Sequence, residues 1–205
     1  MKKQYHTWLF MAAVLLLPMG VLALVKWYER NNTPLPVMGG EGHTIADFSL
    51  VNQHGTITTQ KAWEGKIVVA DFFFTHCPVV CPKMTRSLKE VQRLYVNDEN
   101  LLITSFTVDP ERDSAAQLQR YAERMDLQKN WLLLTGAKKD LYRLARHSFK
   151  ITATDGDGGP DDFIHSELLI LIDGQRRIRG YYNGTVPGEV EELMIDIERL
   201  KKEQD

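Results

Sequence analysis

Hydrophobic residues follow three distinct patterns along the 205-residue chain. From Trp8 to Val25 no residue is charged, and this run approaches the ~20 residues that one membrane-spanning helix takes. The segments KIVVADFFF (66–74) and LLITSFTV (101–108) are nearly continuously apolar, a pattern typical of strands buried on both faces of a sheet. In PKMTRSLKEVQRLYV (82–96) the apolar residues recur at helical spacing instead.

These patterns divide the chain into four parts. Residues 1–7 are a short N-terminal segment, 8–25 a transmembrane anchor, 26–42 a linker rich in Pro, Gly and Asn, and 43–205 a single domain. The domain is predicted to contain a β-hairpin (48–59), strands 66–74, 101–108, 131–136, 166–173 and 177–184, and helices 82–96, 138–149 and 186–203. Residues 109–125 are predicted to form a turn and then a helix, which Asp113 or Ser114 can cap. This order predicts an α/β protein with helices packed on a mixed sheet.

Charge indicates where the domain lies. Lys2 and Lys3 precede the apolar run, so the positive-inside rule keeps the short N-terminal end in the cytoplasm. The domain would then face the periplasm from a bacterial inner membrane, with a cleaved signal peptide as the alternative. The net charge of −2, without a basic block, argues against nucleic acid as a partner.

The only two cysteines, Cys77 and Cys81, lie between a predicted buried strand and a predicted helix. The N-terminus of a helix favours a thiolate, so a cysteine there is reactive. A dithiol in this place, with a terminal ββα unit, predicts a thioredoxin-like fold with insertions. The pair could form a structural disulfide, act as a redox couple or bind a metal, and its own spacing leaves all three open.

A third ligand would favour a metal, and His165 is the candidate among six histidines. It follows the Gly-rich loop and begins a predicted strand, although a hydrogen-bonded strand-edge histidine is the competing interpretation. Two thiolates and one imidazole form a soft donor set that suits copper, as Cu(I) or Cu(II). Structural zinc sites use four protein ligands, and the acidic loop lacks the acids that a calcium loop needs.

Several ordered motifs resemble the Sco/SenC family of membrane-anchored copper-binding proteins. They are FFFTHCPVVCP (72–82), TVDPERDS (107–114), WLLLTG (131–136) and the segments IHSELLILID and RIRGYYNGT. The resemblance implies a thioredoxin fold in which Cys77, Cys81 and His165 bind one copper ion. It also implies a role in assembling the CuA centre in subunit II of cytochrome c oxidase.

The resemblance places Asp109 near the site, although a turn or capping role is the alternative. Asp161 and Asp162 could orient His165 through a hydrogen bond. The resulting hypothesis is a copper metallochaperone rather than an enzyme, served by a copper-loading or thiol-reducing partner. A membrane-anchored thiol–disulfide oxidoreductase that reduces cysteines of a partner protein is the alternative, and a redox or copper sensor is a third.

Overall fold

The computed structural model describes residues 2–151 and 164–204. The chain divides into two compact units, Met1–Pro34 and Leu35–Asp205. The first unit contains one helix, α1 (Lys2–Asn32). Among the described residues, no helix is long and apolar enough to cross a membrane. The membrane anchor predicted over residues 8–25 is not confirmed and stays a prediction.

The described part of the second unit contains one seven-stranded sheet. Its strands are β1 (Ser49–Asn52), β2 (Ile57–Thr59), β3 (Ile67–Phe73), β4 (Leu101–Thr107), β5 (Trp131–Thr135), β6 (Leu168–Ile172) and β7 (Ile178–Asn183). Its helices are α2 (Val80–Tyr95), α3 (Ala115–Arg124), α4 (Lys138–Arg143) and α5 (Pro187–Gln204). The strand order is β2-β1-β5-β4-β3-β6-β7, and β3, β4 and β5 are parallel while the other neighbours are antiparallel.

Every residue of β3 and β4 is buried, because hydrophobic layers cover both faces of the sheet. One layer joins the sheet to α2, α3 and α5. The other contains an aromatic cluster in which Phe106 contacts Phe72, Trp63 and Phe149 at ring-centroid distances of 5.2, 6.1 and 5.2 Å. Burial from both sides explains the continuous apolar runs. The predicted mixed α/β architecture is confirmed.

The segment predicted as a linker, residues 26–42, differs in the structure. Its first part is helical, since α1 continues to Asn32. From Leu35 onward the chain packs on the second unit: the Leu35 N–H donates to Glu203 (2.6 Å), and the Met38 N–H donates to β7 (2.8 Å). A segment rich in Pro and Gly can lie along a strand edge when distant residues satisfy its backbone, which local composition does not reveal.

Strand directions bring three chain segments to one edge of the sheet. Phe73, the last residue of β3, is paired with Thr107, the last residue of the parallel strand β4. Strand β6 runs antiparallel to β3, with Ala70 opposite Ile170. The residues that follow β3 and β4 and those that precede β6 therefore lie at the same edge, where sites in open α/β sheets form.

Candidate functional site

Cys77 lies in the turn between β3 and α2, and its sulfur faces the first turn of α2. The Cys77 N–H donates to the carbonyl of Phe74 (3.3 Å), and the Cys81 N–H donates to the Cys77 sulfur (3.3 Å). Val79, which precedes the helix, provides no side-chain cap. The first N–H groups of a helix have no partner within the helix, and a side-chain oxygen usually accepts from one of them. Here the Cys77 sulfur accepts from one of these N–H groups instead.

The surroundings of Cys77 change how readily its thiol ionises. Burial acts to raise its pKa, but this thiol is only half-buried. Hydrogen bonds from Cys81, Val79 and Val80 outweigh the burial and lower the pKa of Cys77 below its ordinary value. Since the thiolate is both the nucleophile and the metal ligand, Cys77 is the reactive member of the pair.

Cys81 has the opposite character. It is the second residue of α2 and is 6% exposed. Burial raises the pKa of its thiol to about 12, and the neighbouring Cys77 and Asp71 add to the increase, although a hydrogen bond to the Phe74 backbone opposes it. The dithiol therefore pairs an accessible, easily ionised sulfur with a buried sulfur that keeps its proton.

A cavity of about 450 Å³ opens beside the two sulfurs. Its lining residues are Phe72, Phe74, Cys77, Pro78, Val79, Val80, Cys81, Val108, Ile164, His165, Ser166 and Glu167. The cavity thus brings both cysteines and the predicted histidine ligand to one place. Most of its wall is apolar, so a polar group that enters it meets few hydrogen-bonding side chains besides the thiols, the imidazole, Ser166 and Glu167.

His165 reaches the cavity because it lies three residues before β6. The neighbouring Ile164 is 1% exposed and anchors this segment in the core, whereas His165 itself is exposed at the rim. Among the described residues, no group of three or more His, Cys, Asp or Glu side chains is close enough to hold a metal ion. The three predicted ligands therefore surround one cavity without forming an assembled metal cluster.

The predicted supporting acids have different outcomes. Asp109 is a turn residue: its carbonyl accepts from the Asp113 N–H (2.9 Å), and its carboxylate lies 3.7 Å from the Arg112 guanidinium. It is not among the residues that line the cavity. Asp161 and Asp162 lie outside the described residues, so their proposed hydrogen bond to His165 stays a prediction.

Comparison with known proteins assigns the chain to a family. The family model of SCO1/SenC matches residues 37–202. The chain belongs to the SCO1/SenC family. The SCO1 protein homolog of Bacillus subtilis is 30% identical over 158 residues, which cover 76% of this chain and 81% of that relative. Against the mitochondrial SCO2 homolog of Danio rerio, this SCO1/SenC chain covers only 50% of the relative's length.

Solved structures of the family share the fold. The structure of BsSco aligns with a TM-score of 0.66 at 28% identity. BsSco is described as having a disulfide switch and as a member of the Sco family of cytochrome c oxidase assembly proteins. The alignment covers 80% of this chain and 96% of BsSco. Bradyrhizobium japonicum ScoI with copper bound aligns with a TM-score of 0.61 at 27% identity and coverages of 77% and 99%. The predicted thioredoxin-like fold is confirmed by these structures.

Sequence reasoning missed the contribution of Asp113 in this SCO1/SenC chain. We expected Asp113 or Ser114 to cap α3, and the structure assigns the cap to Ser114, which accepts from the Gln117 N–H (3.3 Å). Asp113 instead is fully buried and accepts from Thr75 and Thr107. The signal was present in TVDPERDS, where Asp113 and Ser114 compete for one capping position.

A second buried acid, Asp71, also went unnoticed because it lies inside the apolar run KIVVADFFF. It is 3% exposed in the middle of β3, where the Ser105 hydroxyl donates to it. Ser105 in turn accepts from the indole N–H of Trp131 (2.8 Å). Burial raises the pKa of Asp71 to about 7, and the Ser105 hydrogen bond lowers it only partly. An acid in a run of buried residues is itself a signal, since it is rarely fully buried without a partner.

Proposed function

We propose that this SCO1/SenC protein is a copper metallochaperone. It binds one copper ion through Cys77, Cys81 and His165 and assists assembly of the CuA centre in subunit II of cytochrome c oxidase. The observation that carries the proposal is the single cavity lined by both sulfurs and the imidazole. The copper-bound ScoI structure and the description of BsSco as a cytochrome c oxidase assembly protein support it.

The donor set fits copper chemically. Thiolate sulfur is a soft donor and imidazole is intermediate, a combination that suits Cu(I) and is also compatible with Cu(II). A structural zinc site would need a fourth protein ligand. Because the pKa of Cys81 is raised to about 12, copper has to displace the proton of that thiol. Binding therefore releases protons and weakens as the pH falls.

Copper transfer and redox state are coupled at this dithiol. Oxidation of Cys77 and Cys81 to a disulfide releases two protons and two electrons and removes both thiolate ligands. A partner disulfide that accepts those two electrons and protons becomes a dithiol. Thiolates of the client can instead replace the ligands one at a time, each incoming sulfur taking the place of one leaving ligand, with His165 at the exposed rim.

The asymmetry of the two thiols favours one alternative function, a thiol–disulfide oxidoreductase. In that reaction the Cys77 thiolate attacks a partner disulfide and forms a mixed disulfide, releasing one partner thiolate. Cys81 then loses its proton and displaces the second partner sulfur, which leaves a Cys77–Cys81 disulfide and a reduced partner. A thiol-reducing partner would regenerate the dithiol. This reaction does not require His165.

We further propose that the protein acts at a bacterial inner membrane, anchored by residues 8–25 with its second unit in the periplasm. The uncharged run from Trp8 to Val25 and the two preceding lysines support this location. Membrane fractionation with alkaline carbonate washing tests the anchor, and periplasmic protease access tests the orientation. Release by carbonate or protection from the protease contradicts the respective part of the proposal.

The deciding experiment measures copper binding by the reduced full-length chain. Metal analysis gives the stoichiometry, and competition with a chromophoric Cu(I) chelator gives the affinity. We expect one copper per chain and roughly tenfold weaker binding in His165→Ala, in the range expected when support of a metal site is lost. His54→Ala is the matched control, because His54 is exposed in the β1–β2 turn and does not line the cavity.

The outcomes separate the two functions. Equal affinities in His165→Ala and His54→Ala would remove the histidine from the site. If the wild-type chain binds no copper but its dithiol still reduces a protein disulfide, the oxidoreductase is the remaining function. One tightly bound copper that depends on both cysteines and on His165 supports the metallochaperone.

A further inference from the structure

The carboxyl group of Asp113 is fully buried at the edge of the sheet that carries the dithiol. Its Oδ1 accepts from the Thr75 hydroxyl (2.5 Å), and its Oδ2 accepts from the Thr75 N–H (3.1 Å) and the Thr107 hydroxyl (2.6 Å). The imidazole Nδ1 of His76 lies 4.0 Å from Oδ1. All of these hydrogen-bond donors belong to two threonines.

The hydrogen bonds of Asp113 join three elements. Thr107 ends β4, Asp113 immediately precedes the Ser114 cap of α3, and Thr75 lies in the turn two residues before Cys77. Gln117 in α3 adds a bond from its amide to the Thr75 hydroxyl (3.2 Å). The turn that carries Cys77 is thus tied through one side chain to β4 and to the start of α3.

The position of Asp113 is not explained by the needs of α3. Ser114 already caps that helix, and the Asp113 side chain points away to the β3–α2 turn. Burying a carboxylate is unfavourable unless hydrogen bonds compensate it. Two of its three donors come from Thr75, so the compensation depends on the conformation of the turn.

We propose that Asp113 is a positioning residue that holds the Thr75–Cys77 turn so that the Cys77 sulfur faces the N-terminus of α2. One acceptor side chain thus fixes both the backbone and the side chain of Thr75. Because one residue separates Thr75 from Cys77 in the chain, fixing Thr75 also restricts the position of Cys77. That the positioned sulfur serves copper rests on the proposed function; the positioning itself does not.

The test follows the reactivity of Cys77 without copper. The reduced full-length chain is treated with iodoacetamide at pH 7, and peptide mapping by mass spectrometry gives the alkylation rate of each cysteine. In Asp113→Asn and Thr75→Val we expect alkylation of Cys77 to slow by roughly tenfold to a hundredfold, the factor for losing one hydrogen bond to a charged group. The thiolate would lose the Cys81 N–H that now donates to it.

Two further variants separate positioning from general destabilisation. Thr75→Ser keeps the hydroxyl and the N–H that contact Asp113, so we expect it to retain the wild-type rate. Ser114→Ala removes the neighbouring cap of α3 and should lower the stability of the fold while leaving the rate unchanged. Hydrogen exchange gives an independent readout: the peptide spanning 74–79 should exchange faster in Thr75→Val, and the β4 peptide should not.

Several results would overturn the proposal. An unchanged rate in Thr75→Val, or the same slowing in Ser114→Ala, would show that the turn does not depend on Asp113. Faster alkylation in Asp113→Asn would show that the residue acts through its negative charge, since removing that charge alone favours the thiolate. If Asp113→Asn does not fold, the comparison of Thr75→Val with Thr75→Ser decides. Failure of the wild-type chain to bind copper would overturn the metallochaperone but not these results.

Discussion

Two regions line the cavity, and the fold holds them in different ways. The dithiol turn, residues 74–80, is hydrogen-bonded on several sides: Thr75 to Asp113, the Cys77 N–H to a carbonyl, and the Cys77 sulfur to α2. The histidine segment, residues 164–167, is held at its two ends: Ile164 is buried, and Glu167 accepts hydrogen bonds from Gly184, Asn183 and Thr185. His165 itself is exposed.

This difference suggests a division of roles for copper binding. In the proposed copper site the two sulfurs, placed by the strand-to-helix junction, would supply the soft, strongly binding donors. The imidazole lies at the rim, where an incoming thiolate from a client would first reach the metal. We expect a ligand at the rim to contribute less to copper affinity than the sulfurs do. We also expect it to be easier for a client thiolate to displace. The predictions below test this contrast.

The largest expected effect comes from replacing a sulfur. Cys77→Ser keeps the size of the side chain but replaces a soft donor by a hard one that Cu(I) binds poorly. We expect Cu(I) affinity to fall on the order of a thousandfold, against about tenfold for His165→Ala. Chelator competition on the reduced full-length chain measures both. Similar losses in the two variants would show that the sulfurs and the imidazole contribute equally.

A smaller effect is expected within the dithiol turn itself. The lowered pKa of Cys77 and the raised pKa of Cys81 predict that iodoacetamide modifies Cys77 on the order of a hundredfold faster at pH 7, because only the thiolate reacts. Peptide mapping of the reduced chain gives the two rates. The same reaction in concentrated urea is the control, since unfolding should make the rates alike. Equal rates in the folded chain would contradict the asymmetry.

Local patterns in the sequence were sufficient for much of the fold. The apolar run at 66–74 predicted β3, and helical spacing after Pro82 predicted α2, which in the structure begins at Val80. These elements depend on periodicity and on which faces are buried, and both are properties of neighbouring residues. The position of the dithiol at the strand-to-helix junction followed directly from them.

The rest depends on contacts between residues distant in the chain. Asp109 and Asp113 are similar in sequence context, but only Asp113 reaches Thr75, which is 38 positions away. The packing of Leu35 on α5 and β7 likewise involves partners near the other end of the chain. Composition alone assigned that segment to a linker. Such pairings are set by how the strands and helices assemble, which local patterns do not specify.

An effect of similar size is expected from Asp71, the acid buried in the middle of β3. Burial raises the pKa of Asp71 from 3.8 to about 7, so the folded state binds its proton more tightly than the unfolded state does. Its contribution to stability is therefore fully present below pH 3.8 and is lost as the pH rises through 7. Asp71→Asn remains neutral at every pH and avoids this loss.

We expect the free energy of unfolding of Asp71→Asn, relative to the wild type, to rise by about 2–3 kcal/mol between pH 5 and pH 8. Urea unfolding of the reduced chain at both pH values measures the difference. Glu90→Gln, an exposed acid on α2, is the matched control and should show little change. A gain that is the same at both pH values would mean that Asn improves packing or hydrogen bonding to Ser105, and that Asp71 does not titrate in this range. A gain that grows with pH would show that the ionisation of Asp71, whose charge also acts on the Cys81 thiol, opposes folding.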